Sequence, residues 1–143
     1  MADPGRHVVF RVDSARYALP LSAVREVVVM PELLARIPRT GAAVTGVINL
    51  RGRVVTVVDL RPLLGLGEPG LPAGKVLLLD RGRRDLAVGV SEVEGIEHLD
   101  RVVAGGTAPT GLVRGVARLG AVEVGMLDVE ELDARVTALF RGR

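Results

Sequence analysis

Apolar and polar residues alternate with period two along most of this chain, the signature of half-buried β-strands. HVVFRV (7–12) reads as a strand, with ARYALPL (15–21) as its hairpin partner and AVREVVV (23–29) as a third. Pro31 and Pro38 bracket an irregular connection. GVINL and RVVTVVDL form two strands joined at Arg51-Gly52, and LGLGEPGLPAG (64–74) reads as a Gly/Pro-rich linker. KVLLLD, DLAVGVS and EVEGIEHL follow as strands, then the loop AGGTAPTG (104–111), then the hairpin LVRGVARL and AVEVGMLD. At the tail the period changes. Val129, Leu132, Val136, Leu139 and Phe140 recur at helical spacing, with Asp128 placed as N-cap and Glu131 as its capping-box partner.

A shift of 69 residues brings the two halves into phase without a gap. Tyr17-Ala18-Leu19 falls on Leu86-Ala87-Val88, Gly46-Val47 on Gly115-Val116, and Asp59 on Asp128. The expected fold class is therefore mainly β: two tandem small barrels of about five strands each, with a C-terminal helix. The expected division is 7–66 for the first barrel, 75–128 for the second and 129–140 for the helix, all within one domain spanning 1–143.

Composition narrows the chemistry. Hydrophobic residues make up 48% of the chain, which argues against disorder, and no apolar run is longer than a strand, so direct membrane insertion is not expected. The N-terminus, MADPGRH, lacks the apolar centre of an export signal, and the expected location is the cytoplasm. The absence of cysteine excludes disulfides and thiolate catalysis. The net charge is +2, all but one of the cationic side chains are Arg, and aromatics are limited to Phe10, Tyr17 and Phe140. Nucleic-acid binders combine a basic stripe with stacking platforms, so a small basic β-barrel for RNA or DNA is the alternative reading, not the first.

Candidate catalytic motifs are weak. GLGEPG (65–70) matches G-x-G-x-x-G, but Pro69 and Pro72 prevent the helix that a dinucleotide site needs. His98 stands near Glu94, Glu97 and Asp100 without a second histidine beside it, so no metal and no cofactor are expected. No G-x-S-x-G nucleophile motif occurs. An enzyme with an acid site assembled across the fold is the lowest-ranked reading.

GVINLRGRVVTVVDLR resembles the signature hairpin of CheW-like domains, the coupling proteins of bacterial chemotaxis, and RYALPLSAVREVV resembles their early segment. The resemblance spans roughly residues 7 to 139. Thr56 departs from the pattern, which often has Pro there; Thr suits a strand equally well. The resemblance implies two SH3-like five-stranded barrels and a non-catalytic adaptor that bridges methyl-accepting chemoreceptor tips and the regulatory domain of the histidine kinase CheA. It places a receptor-facing groove between the barrels, lined by Val24, Glu26, Gly46, Arg51 and Ile96. Val24 and Ile96 would offer apolar contact, Arg51 a directional charge, and Gly46 close backbone approach. On physics alone Val24 and Ile96 fit ordinary core equally well, and Arg51 fits a solvated turn. The kinase contacts are expected at the ends of the barrels.

Overall fold

Alternation builds twelve strands, described here in a computed structural model covering residues 5–35, 43–66, 74–80, 86–99, 103–104 and 111–141. The first half forms β1 (Arg6–Val12), β2 (Ala15–Pro20), β3 (Val24–Val29), β4 (Leu33–Ala35), β5 (Val44–Leu50), β6 (Arg53–Asp59) and the short helix α1 (Leu60–Leu63). The second forms β7 (Lys75–Leu79), β8 (Leu86–Val90), β9 (Glu92–His98), β10 (Val103–Ala104), β11 (Val113–Leu119), β12 (Val122–Leu127) and the helix α2 (Val129–Arg141). Each element of the first half falls on one of the second at the 69-residue shift. Even the bulges recur: the ladders skip Arg25 in β3 and its counterpart Glu94 in β9.

Two sheets result, in the orders β10-β11-β12-β2-β1-β9 and β3-β7-β8-β6-β5-β4. Each has five long strands and one short one, of two residues in the first sheet and three in the second. Both must curl. β3 and β4 lie at opposite ends of their sheet, and six flat strands would hold them about 24 Å apart. The chain from Val29 to Leu33 reaches at most about 14 Å. The sheet therefore curls into a small barrel that brings β3 and β4 toward each other, with Pro31 at the bend and no ladder joining the two end strands among the described residues. The same reasoning applies to β9 and β10.

The strands do not divide between the barrels in sequence order, as 7–66 and 75–128 would require. The β1–β2 hairpin pairs with β9 and, in parallel, with β12, both from the second half. The β7–β8 hairpin pairs with β3 and, in parallel, with β6 of the first half. Each half lends its hairpin to the other's barrel. Period-two alternation states which face of a strand is buried, but not which edge it meets. The proposed linker enters as Leu64–Leu66 and leaves at Gly74; 67–73, the loop residues 105–110, Pro38 and Asp100 lie outside the described residues.

Three cores follow from this arrangement. Val9, Ala18, Ala117, Val124 and Met126 fill one barrel, and Ile48, Val55, Val57, Val76, Leu78 and Ala87 the other. The largest lies between them and draws Val8, Phe10, Leu19, Val58, Leu77, Leu79 and Leu127 from both sheets. The middle of β1 (Val8-Val9-Phe10) and most of β7 (Val76 to Leu79) are thus buried on both faces, which is why these stretches read as continuous apolar runs rather than alternating ones.

Helix α2 seals the inter-barrel layer. Leu132 and Val136 are fully buried there, with Val129 packed beside them. The apolar stripe thus covers the seam between the two barrels. Asp128 caps the helix as expected, its Oδ1 accepting from the backbone N–H of Glu130 at 3.0 Å and of Glu131 at 3.1 Å. Glu131 does not close a capping box. Asp128 N–H donates to Leu112 O at 2.8 Å, and the Glu131 carboxylate instead holds Arg135 at 2.9 Å. The side chains of Leu139 and Phe140 lie outside the described residues. Among the described residues no helix is long and apolar enough to cross a membrane.

Candidate functional site

The β5–β6 hairpin turns at Arg51-Gly52, with Leu50 opposite Arg53. Both turn residues have positive φ, 52° at Arg51 and 85° at Gly52, the geometry that matches the right-handed twist of the strands. Asn49 supports it by accepting the Gly52 N–H at 2.9 Å on Oδ1, which accounts for an asparagine before the turn. Gly52 is held by conformation and not by space: a Cβ there would meet nothing within 4 Å. Arg51 is the unusual member. A left-handed conformation costs a non-glycine residue about 1–2 kcal/mol. The equivalent position of the second half is Gly120, at φ 65°. The first half carries an arginine where its own repeat uses the residue the backbone prefers.

The Arg51 side chain is 66% exposed and reaches across to β3, at one end of the same sheet, where its Nη2 lies 2.5 Å from Glu26 Oε1. The ion pair therefore bridges the hairpin tip and an end strand of the curled sheet. Hydrogen bonding from Arg51, with the nearby charges of Arg51 and Arg25, lowers the Glu26 pKa, and the same pairing raises that of Arg51. The sign follows. Glu26 binds its proton less readily in the folded chain, so its contribution is full above the ordinary glutamate value of 4.5 and is lost as pH falls through a lower folded value. Titrating the Glu26 carboxyl carbon by NMR should give a midpoint below 4.5 that moves back up in Arg51→Ala. An unmoved midpoint would mean that the pair is absent in solution.

Val24 lies two residues from Glu26 on β3, half-buried against the inter-barrel core, so for this residue the core reading holds in part. Gly46 is buried beside a bulge of β5, the strand that leads into the turn. Ile96 stands apart. It lies on β9 of the other sheet, opposite Val8, and is 54% exposed, so it is not core. Val8 belongs to the inter-barrel core, which places Ile96 at the rim of that layer. Glu26 and Arg51 thus form one corner, with Val24 two residues along β3, while Ile96 lies on the other sheet at the rim of the inter-barrel layer.

Sequence reasoning missed the apolar residues beside this corner. Val29 is 70% exposed and Val27, the repeat counterpart of Ile96, is 40% exposed, both on β3. Val54, on β6 just past the turn, is exposed too. Of the run Val27-Val28-Val29, Val28 packs inward against the core of its barrel, while Val27 and Val29 face out. No local signal marked them, and the repeat only aligns Val27 with Ile96, whose exposure the sequence leaves open as well. Among the described residues, no three His, Asp or Glu side chains gather as a metal ion would require. A guanidinium and a carboxylate held in fixed geometry, with exposed valines nearby, suit non-covalent contact with another macromolecule.

A family model for the CheW-like domain matches residues 6–136. Among solved structures the chain is similar to the scaffolding protein TtCheW from Thermoanaerobacter tengcongensis, with a TM-score of 0.76 at 23% identity, over 90% of this chain and 87% of that one. No curated protein gives a sequence match.

Proposed function

This chain belongs to the CheW-like domain family, and on that premise we propose that it is a non-catalytic scaffold of chemotaxis-type signalling. It acts in the cytoplasm and couples the tips of methyl-accepting chemoreceptors to the histidine kinase CheA. The observation that carries this reading is Arg51, an arginine kept in a left-handed turn, pre-oriented by Glu26 and otherwise exposed. Strain kept at an exposed tip supports a contact made outside the chain, as strained residues cluster at binding sites. The receptor-facing surface is built on the corner of Arg51 and Glu26 with Val24 along β3, with Gly46 buried behind it on β5 and Ile96 exposed on the other sheet, and Arg51 supplies the directional contact.

The charge arrangement supports a protein partner over a nucleic acid. Arg16 lies 2.7 Å from Glu94, Arg11 lies 3.6 Å from the same carboxylate, and Arg61 lies 2.8 Å from Asp13. Arginines paired in this way do not present the open positive stripe that phosphates need. The test is a pull-down with the intact chain from its parent cell, with labelled single- and double-stranded nucleic acid in parallel. A large histidine kinase and a chemoreceptor should be recovered, with no nucleic acid retained. Retention of nucleic acid without the kinase would overturn the proposal.

A further inference from the structure

The exchange of hairpins between the two halves has a consequence for association. Four ladders join the halves: β1 with β9, β2 with β12, β3 with β7, and β6 with β8. The inter-barrel core joins them again. Further bonds cross between them: Ser91 N–H to Arg11 O at 2.9 Å, Asp80 N–H to Ala23 O at 2.9 Å, and Asp13 N–H to Ser91 Oγ at 3.0 Å. The peptide chain connects them only through the segment between Leu66 and Gly74. Each of these contacts forms equally well when the second half comes from another copy of the chain.

We propose that each half recognises the complementary half of any copy, so that this chain forms a half-exchanged dimer with a second copy of itself. The two forms share every ladder and every core contact. What separates them is the connection between Leu66 and Gly74, which by its length alone holds the halves of one chain at an effective concentration on the order of millimolar. The closed monomer therefore prevails when folding occurs at micromolar concentration. When folding occurs near 1 mM, the two pairings compete on comparable terms. Once formed, the dimer reverts slowly, because four ladders and a shared core must open together. Glu26 and Arg51 both lie in the first half, so an exchanged dimer keeps two intact corners, while each Ile96 comes from the other copy. The proposal rests on strand pairing and stands apart from the proposed function.

The experiment refolds the full chain from denaturant over a range from about 1 µM to about 1 mM and measures mass by light scattering after size exclusion. Monomer alone is expected at the low end, and monomer with a comparable amount of dimer at the high end. Two chains with different tags, refolded together at the high concentration, should yield mixed dimers. The same chains mixed after folding should yield none. A second variant lacking residues 68–72 should shift toward dimer at every concentration and keep its β-sheet circular dichroism. Monomer alone at every concentration for the natural chain overturns the proposal. So does a mixed dimer that forms from already folded chains, since that is a surface contact and not an exchange.

Discussion

Removing the chain from Val129 onward is expected to unfold it at ordinary temperature. Leu132 and Val136 are fully buried in the layer between the barrels, and Val129 packs against that layer. Truncating one buried aliphatic side chain of this size costs about 1–5 kcal/mol once the cavity is included. Loss of the whole helix removes all three side chains from a core they share with Leu60, Leu112 and Leu127. The sum approaches the 5–15 kcal/mol that holds a typical domain folded. The milder variant Leu132→Ala should cost about 2–5 kcal/mol, and each kcal/mol lowers the melting temperature of a chain this size by about 2–4 °C. Glu130→Ala, on the exposed side of the same helix, should stay within about 0.5 kcal/mol. Circular dichroism melts of all three, with binding of a hydrophobic dye to the truncated chain, supply the measurement. A truncated chain that stays soluble with an unchanged melting temperature would show that the seam does not need the helix.

The second large effect concerns binding, and the turn separates it from folding. Arg51→Ala should melt close to the natural chain, because alanine meets the same left-handed backbone that arginine does. Arg51→Asn should melt at the same temperature or higher, since asparagine tolerates that conformation better. Both should weaken receptor-tip binding by about 1.5–3 kcal/mol, a tenfold to hundredfold loss of affinity, if Arg51 makes a charge-assisted contact there. Gly52→Val should behave in the opposite sense. A β-branched residue at φ 85° is strained by about 1–3 kcal/mol although its Cβ has open space around it. Its melting temperature should fall, and the correctly folded fraction should still bind through Arg51. Calorimetric titration of each variant against receptor tips and against the kinase regulatory domain distinguishes these outcomes. Full receptor affinity in a well-folded Arg51→Ala would leave Arg51 as a solvated turn residue.

Both predictions depend on features read at different levels. The strand alternation, the positive φ at Gly52, the Asp128 cap and the 69-residue repeat were legible in the sequence, because each is set by neighbours a few residues apart or by comparing the chain with itself. The side chain that Arg51 faces was not legible: Glu26 lies 25 positions away and is reached only when the sheet curls. Nor was the exposure of Val27 and Val29, since an apolar residue on an end strand has the same local pattern as one in the middle. The exchange of hairpins was the least accessible. Two halves with the same alternation offer one another equivalent edges, so pairing within a half and pairing across halves satisfy the local pattern equally. Tertiary structure decided between them by the packing of the inter-barrel core. Phe10, Leu19, Leu77 and Leu79 are buried together there when each hairpin crosses to the other barrel, and Leu132 closes the seam that the crossing creates.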